Sequence, residues 1–293
     1  MRVLITGAGG QLGTDLSIHC GAEGDEVVAL GRDRLDIADR SAVLDAVAAH
    51  APDAVFNAAA WTAVDDCESD PERAFAANAL GARWVAEAAG RAGAHLVHVS
   101  TDYVFDGTKD GAYNEWDTPA PRSVYGASKL AGEREVLDVA SGRAAVVRTA
   151  WVMGVHGKNM LKTVLSLRDR EHLAFVDDQR GSPTFTADLA VGMRRLAADR
   201  MAGMYHLTNR GSTSWYGLVR EILEMAGADP GIVSPISTDQ LDPPRPAPRP
   251  ANSVLDDIAW RSAQLPAMPL YRDSLRSAVD ALMDRHSPDK ETS

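Results

Sequence analysis

The strongest constraint on the fold lies within the first thirteen residues. Val3-Leu4-Ile5 is a short apolar run that reads as a buried parallel strand, and Gly7-Ala8-Gly9-Gly10-Gln11-Leu12-Gly13 follows it closely. From Gln11 to about Cys20 the pattern reads as a helix. A strand, a Gly-rich turn and a helix in this order set free backbone N–H groups and the positive end of a helix dipole where a pyrophosphate can sit. Side chains at Gly7 and Gly10 would block that approach, and Gly13 lets the helix lie close to the strand. Gly-x-x-Gly-x-x-Gly alone is a weak signal. Its strand–turn–helix setting makes it a candidate dinucleotide site.

The same alternation continues downstream. Val27 to Leu30, Ala54 to Phe56, Leu96 to Val99 and Ala144 to Val147 read as strands. Ser41 caps a predicted helix that runs to about His50. Pro71 opens a long helical stretch to about Ala92, and Val124 to Val139 forms another. This βαβα order predicts an α/β fold, a Rossmann doubly wound parallel sheet.

After Trp151 the rhythm changes and Gly and Pro become frequent. Helices are expected at Asn159–Arg170, Ala187–Ala198, Trp215–Ala226 and Tyr271–Met283. The stretch from Leu241 to Pro250 carries too many prolines for a helix or central strand, so it is an extended loop. The expected organisation is a dinucleotide-binding Rossmann domain over residues 1–151. A smaller, mainly substrate-binding α/β domain follows over 152–287, with some segments returning to the sheet. Residues 288–293 are a polar tail.

Bulk properties exclude several classes. The 293 residues fit a Rossmann domain plus a smaller cap, and 45% apolar content supports a large core. A formal net charge of −11 disfavours nucleic acid and anionic membranes as partners. Cys20 and Cys67 suggest neither a disulfide framework nor a zinc site, and no metal is predicted. No signal peptide is apparent and no window reaches the ~20 apolar residues of a membrane span, so a cytoplasmic location is expected.

The end of the second strand bears on cofactor choice. An NAD site usually places Asp or Glu there for the ribose 2′-hydroxyl. Here the strand ends Leu30-Gly31-Arg32, and a guanidinium favours a 2′-phosphate, hence NADPH, with NADH possible. Asp36 and Ile37 lie near enough in sequence to line an adenine pocket.

Tyr125 and Lys129 stand four apart on a predicted helix and so share a face. A nearby ammonium would lower the phenol pKa from ~10 and make Tyr125 a usable general acid. Ser100-Thr101 ends the fourth strand, where ligands bind in parallel α/β sheets, and a hydroxyl there can bond a carbonyl oxygen. Thr101, Tyr125 and Lys129 thus form a candidate carbonyl-reduction triad. Their conjunction with the Gly turn and with Asn57-Ala58-Ala59-Ala60 is far more specific than any one motif.

These motifs, extended through Trp61 to Asp65, Asp102 to Gly107, Leu130 to Glu133, Val147 to Val152, Gln179 to Thr184 and Arg249 to Ser253, carry a resemblance over nearly the whole chain. The chain resembles the dTDP-4-dehydrorhamnose reductases, a family of the extended short-chain dehydrogenases/reductases. That resemblance implies NADPH-dependent reduction of the C4 keto group of dTDP-4-dehydro-L-rhamnose to dTDP-L-rhamnose, a cell-envelope sugar donor. Gly10, Gln11, Leu12, Asp36, Ile37, Ala60, Trp61, Thr62, Tyr125 and Lys129 would then contact cofactor, with Gly7, Gly13, Gly31, Arg32 and Ala58 beside them. Thr101, Asp102 and Trp151 would face substrate. Some relatives dimerise through metal-binding carboxylates; Asp15 fits one such position, but no partner stands near Thr186–Asp188.

The nucleotide sugar's diphosphate calls for Arg or Lys, and Arg249 in the Pro-rich loop is the candidate for a lid. Trp151 is placed to stack on sugar or base, with a core role as the alternative. His206 reads as a structural histidine. A related dehydratase would place a second carboxylate after Asp102, and Tyr103 stands there instead. Another nucleotide-sugar reductase or an epimerase remains an alternative. So does a non-catalytic NADP-binding regulatory subunit like that of methionine adenosyltransferase. Monomer and homodimer are both compatible with the sequence.

Overall fold

A computed structural model describes residues 1–284. Its centre is a six-stranded sheet. Strands β1 (Arg2–Thr6), β2 (Glu26–Leu30), β3 (Ala54–Asn57), β4 (His95–Thr101) and β5 (Ala144–Thr149) are joined by a sixth, Gly203–His206. The sixth strand lies at one edge, followed by β5, β4, β3, β1 and then β2 at the other edge, with every pairing parallel. The expected doubly wound parallel sheet is therefore present.

Strand side chains alternate between two cores, as a period of two requires. Val3, Ile5, Phe56, Val97 and Val147 face one layer with Leu16 of α1 (Gln11–Ala22) and Leu189 and Met193 of the helix Thr186–Ala198. Leu4, Val55, Leu96 and Val146 face the other layer with Val43, Val47, Val85 and Val136. A third core gathers Met153, Leu161, Phe185, Leu218, Ile222, Leu275 and Val279 from the C-terminal half. That half does not stay apart. Thr186–Ala198 packs on α1, and Gly203–His206 extends the sheet beside β5.

Two local expectations need correction. The second helix is Arg40–His50, and its cap is Asp39, whose carboxylate accepts from the Ala42 N–H; Ser41 lies inside the helix. The long helical stretch from Pro71 is interrupted. It runs Pro71–Phe75, widens into a π-helical turn at Ala76–Leu80 and resumes as Gly81–Ala92. Such turns often mark functional sites, and this one projects Asn78 toward Trp61.

The Pro-rich stretch 241–250 forms no strand or helix, as expected. His206 is buried with Nδ1 facing the carbonyls of Tyr113 and Asp256, which suits a structural role. Cys20 and Cys67 are buried free thiols, and burial pushes both up to about 11. The tail expected at 288–293 lies outside the described residues, as do 285–287. Among the described residues, no helix is long and apolar enough to cross a membrane.

Candidate active site

The chain leaves β1 for β2 on one side and returns to β3 on the other. The crevice beyond the carboxyl ends of β1 and β3 is therefore the topological switch point, where open α/β sheets bind ligands. A cavity of about 750 Å³ occupies this end of the sheet. Volumes of this order suit a small-molecule ligand.

The Gly turn builds the cavity's floor. Gly7 has φ +68°, and a Cβ on it would lie 2.7 Å from the Ala59 nitrogen. A Cβ at Gly13 would stand 2.3 Å from the Gly7 carbonyl oxygen, so the helix approaches the turn as closely as backbone allows. Gly10 caps α1 with no side-chain bond to the first-turn amides. Gln11 adds a buried Oε1 that lacks a hydrogen-bond partner. A cradle open to backbone contact and uncapped amides fit the pyrophosphate of a dinucleotide. Gly13→Ala is expected to destabilise the fold by ~1–3 kcal/mol and to weaken dinucleotide binding. Thermal melts and a fluorescence titration would show it; unchanged binding would contradict the close-packing account.

Every position expected to meet a cofactor lines this one cavity: Gly7, Gly10, Gln11, Leu12, Gly13, Gly31, Arg32, Asp36, Ile37, Ala58, Ala60, Trp61, Thr62, Tyr125 and Lys129. Thr101, Asp102 and Trp151 line it too. Arg249 does not. Its guanidinium is paired in two-pronged fashion with Asp65, one prong at 2.7 Å. Those bonds hold the Asp65 carboxyl below the usual carboxylate range. Here Arg249 anchors the Pro-rich loop to Asp65 instead of lining the cavity, and Ala247 N–H adds a third bond to Asp65 at 3.1 Å.

The triad's electrostatics also differ from expectation. Tyr125 is buried at the start of the helix Val124–Val139, with the Tyr103 ring edge-on at 5.5 Å. Burial pushes its phenol above the ordinary value, offset partly by the Thr101 hydroxyl and reinforced by Asp102. The sequence suggested a lowering by Lys129. Instead Lys129 Nζ donates to the Val99 carbonyl at 2.7 Å, and burial pushes the ammonium down to about 8. Tyr125 therefore holds its proton at neutral pH. Thr101 Oγ1 donates to Asp102 Oδ1 at 2.9 Å and accepts from the Tyr103 N–H at 3.2 Å.

The whole described chain can be set beside known proteins. The model for the RmlD substrate binding domain matches residues 1–283. The chain belongs to the RmlD family. Among its relatives, the dTDP-4-dehydrorhamnose reductase of Streptomyces griseus is 45% identical, over 97% of this chain and 95% of that one. A probable dTDP-4,6-dihydroxy-2-methyloxan-3-one 4-ketoreductase of Streptomyces antibioticus is 44% identical, over 98% of each. The crystal structure of dTDP-4-dehydrorhamnose reductase from Bacillus anthracis, in complex with NADP, superposes with a TM-score of 0.91. It is 37% identical, over 96% of this chain and 99% of that one.

In this RmlD-family chain several residues in or behind the cavity wall escaped the sequence reading. Arg73 lies over the Trp61 ring at 4.4 Å, while Asn78 bonds both the N–H and the carbonyl of Trp61, at 2.8 and 3.1 Å. Trp61 is thus fixed from two sides. Trp151, at φ +46°, stacks flat on Trp215 with centroids 3.7 Å apart and an 8° angle. A Cβ at Gly181 would come within 2.4 Å of the same indole. One Trp151 face is therefore occupied by protein, which limits the stacking on substrate that the sequence suggested. Asp33 also lines the cavity, beside Gly31 and Arg32. No local pattern marks these partners; each contact joins segments distant in sequence, apart from the Gly31–Asp33 turn. Asp15 stands 3.5 Å from His156, and no metal-ligand group of three forms among the described residues.

Proposed function

We propose that this chain reduces the C4 carbonyl of dTDP-4-dehydro-L-rhamnose to dTDP-L-rhamnose with NADPH. The observation that carries the reading is the convergence of Thr101, Tyr125 and Lys129 on the cavity floored by the Gly7–Gly13 turn. The family membership and the NADP bound to the Bacillus anthracis relative support it.

When bound, the dinucleotide supplies the hydride that reaches the carbonyl carbon. Tyr125 gives its proton to the carbonyl oxygen as that oxygen becomes alkoxide-like. Burial keeps the phenol protonated, so the proton is present to be given. Lys129, fixed by the Val99 carbonyl, brings positive charge to the same wall. Thr101 binds the carbonyl oxygen, and Asp102 and Trp151 shape the substrate side. Asn78 and Arg73 hold Trp61 against the cofactor side.

Arg32 is proposed to meet the 2′-phosphate. Arg32→Ala should weaken NADPH about tenfold or more, the value of a charge-assisted bond, with little change for NADH. Equal loss for both cofactors would remove this assignment. Asp33 beside it is a carboxylate suited to a 2′-hydroxyl, so Asp33→Asn should shift preference further toward NADPH.

The test of the whole reading is NADPH oxidation over a panel of dTDP-4-keto sugars. The panel should include the methyloxanone substrate type in the Streptomyces antibioticus relative's name. Fastest turnover of dTDP-4-dehydro-L-rhamnose is expected. NADPH binding without oxidation of any sugar would replace the enzyme with a regulatory nucleotide-binding subunit.

A further inference from the structure

A threonine hydroxyl has one proton and two lone pairs. On Thr101 the proton goes to Asp102 Oδ1 at 2.9 Å, and one lone pair takes the Tyr103 N–H at 3.2 Å. Only a lone pair remains, and the Tyr125 hydroxyl lies beside it. A lone pair can receive a proton but cannot stabilise an oxygen that is gaining negative charge. In this arrangement Thr101 is barred from the donor role that the reaction asks of it.

The bar depends on the state of the neighbouring carboxyl. An ionised Asp102 accepts only, so it draws the Thr101 proton. A protonated Asp102 carries a proton of its own and no longer requires that one. The surroundings disfavour charge on Asp102. It is 2% exposed, on the turn Asp102–Val104 directly after β4, and its Oδ2 is buried without a hydrogen-bond partner.

We propose that Asp102 is a positioning residue that sets the direction of the Thr101 hydroxyl. Ionised, it holds the hydroxyl away from substrate; protonated, it releases the hydroxyl to the carbonyl oxygen. This rests on the reductase reading above and adds a control that the triad alone does not contain.

Burial pushes Asp102 up to about 6, with Ser253 and Thr101 acting in the other direction. The titratable groups facing it are Tyr103 on its own turn and Tyr125 on the helix Val124–Val139. Arg249 and Asp65 stand behind Tyr103, and Cys67 behind Tyr125. Both phenols are raised by burial and stay neutral, and Lys129, lowered to about 8, keeps most of its charge up to pH 7, so between pH 5 and 7 Asp102 is the group that changes. The sign follows. Asp102 is half protonated at a pH of about 6, so the donor is available below that value and is withdrawn as pH rises through it.

The experiment is the pH profile of kcat at saturating NADPH and dTDP-4-keto sugar, for wild type and four variants. Wild-type kcat should fall about tenfold from pH 5 to pH 7, below the range in which Lys129 loses its charge, the order expected for loss of one oxyanion donor. Asp102→Asn should flatten this limb. Thr101→Val should be slow and flat, while Thr101→Ser should restore the limb. Val104→Ile, beside the site and without a titrating group, should keep it. NADPH titration of each variant checks that the site has formed. If Asp102→Asn does not fold, the Thr101→Val and Thr101→Ser pair decides. A limb that survives Asp102→Asn or Thr101→Val, or a flat wild type, overturns the proposal. A Thr101→Val enzyme as fast as wild type instead sinks the reductase role given to Thr101.

Discussion

Tyr125→Phe is expected to lower turnover by about 10²–10⁴-fold while leaving NADPH affinity unchanged. The ring of Tyr125 packs edge-on against Tyr103, and Phe preserves that contact. Only the hydroxyl is lost. In the proposed reaction that hydroxyl is the proton source for the carbonyl oxygen, and the buried surroundings offer no equally placed acid. Tyr103 is the nearest alternative phenol, but burial pushes it up to about 12 and its neighbour Arg249 is engaged with Asp65. Single-turnover NADPH oxidation would separate the chemical step from binding. A Phe variant with wild-type turnover would end the assignment of Tyr125 as the acid.

The second large effect is on stability. Glu133 and Arg148 form a two-pronged pair at 2.7 and 2.8 Å, with their side chains only 2% and 4% exposed. Ser100 donates to the same carboxylate at 2.6 Å. Glu133→Ala leaves the guanidinium buried without its countercharge. Breaking a buried pair in this way costs about 3–5 kcal/mol. The urea midpoint should fall accordingly, and breaking a surface pair such as Arg40–Glu87 should move it far less. A Glu133→Ala midpoint near wild type would show that Arg148 finds another partner. Glu133 also raises the Lys129 pKa, so its loss removes the charge that supports the ammonium against burial.

The contrast between what was and was not legible in the sequence has a physical basis. The turn at Gly7–Gly13 and the Tyr125–Lys129 spacing are local. Each follows from strand or helix geometry within a few residues, and all these side chains meet in one cavity. The helix Val124–Val139 has the bounds expected of it, and Ser123 caps it with its hydroxyl accepting from the Gly126 N–H. Charge behaviour was not readable. A phenol four residues from a lysine looks activated on paper, yet burial governs both groups and raises one while lowering the other. Arg249 looked free for phosphate because Asp65, its partner, is 184 positions away. The π-helical turn was hidden for a similar reason: Asn78 reaches Trp61, 17 positions back in the chain, and Ser128, 50 positions ahead.

The stacked indoles of Trp151 and Trp215 set a rule for redesign of the pocket. Their contact and the space at Gly181 form a three-part fit from three separate segments. Changing Trp151 alone to admit a bulkier sugar strands Trp215 and opens a void at Gly181. Residues in such contact do not contribute independently, so single substitutions will understate what the triple can reach. A library that randomises the three positions together would therefore find specificities that a stepwise search walks past.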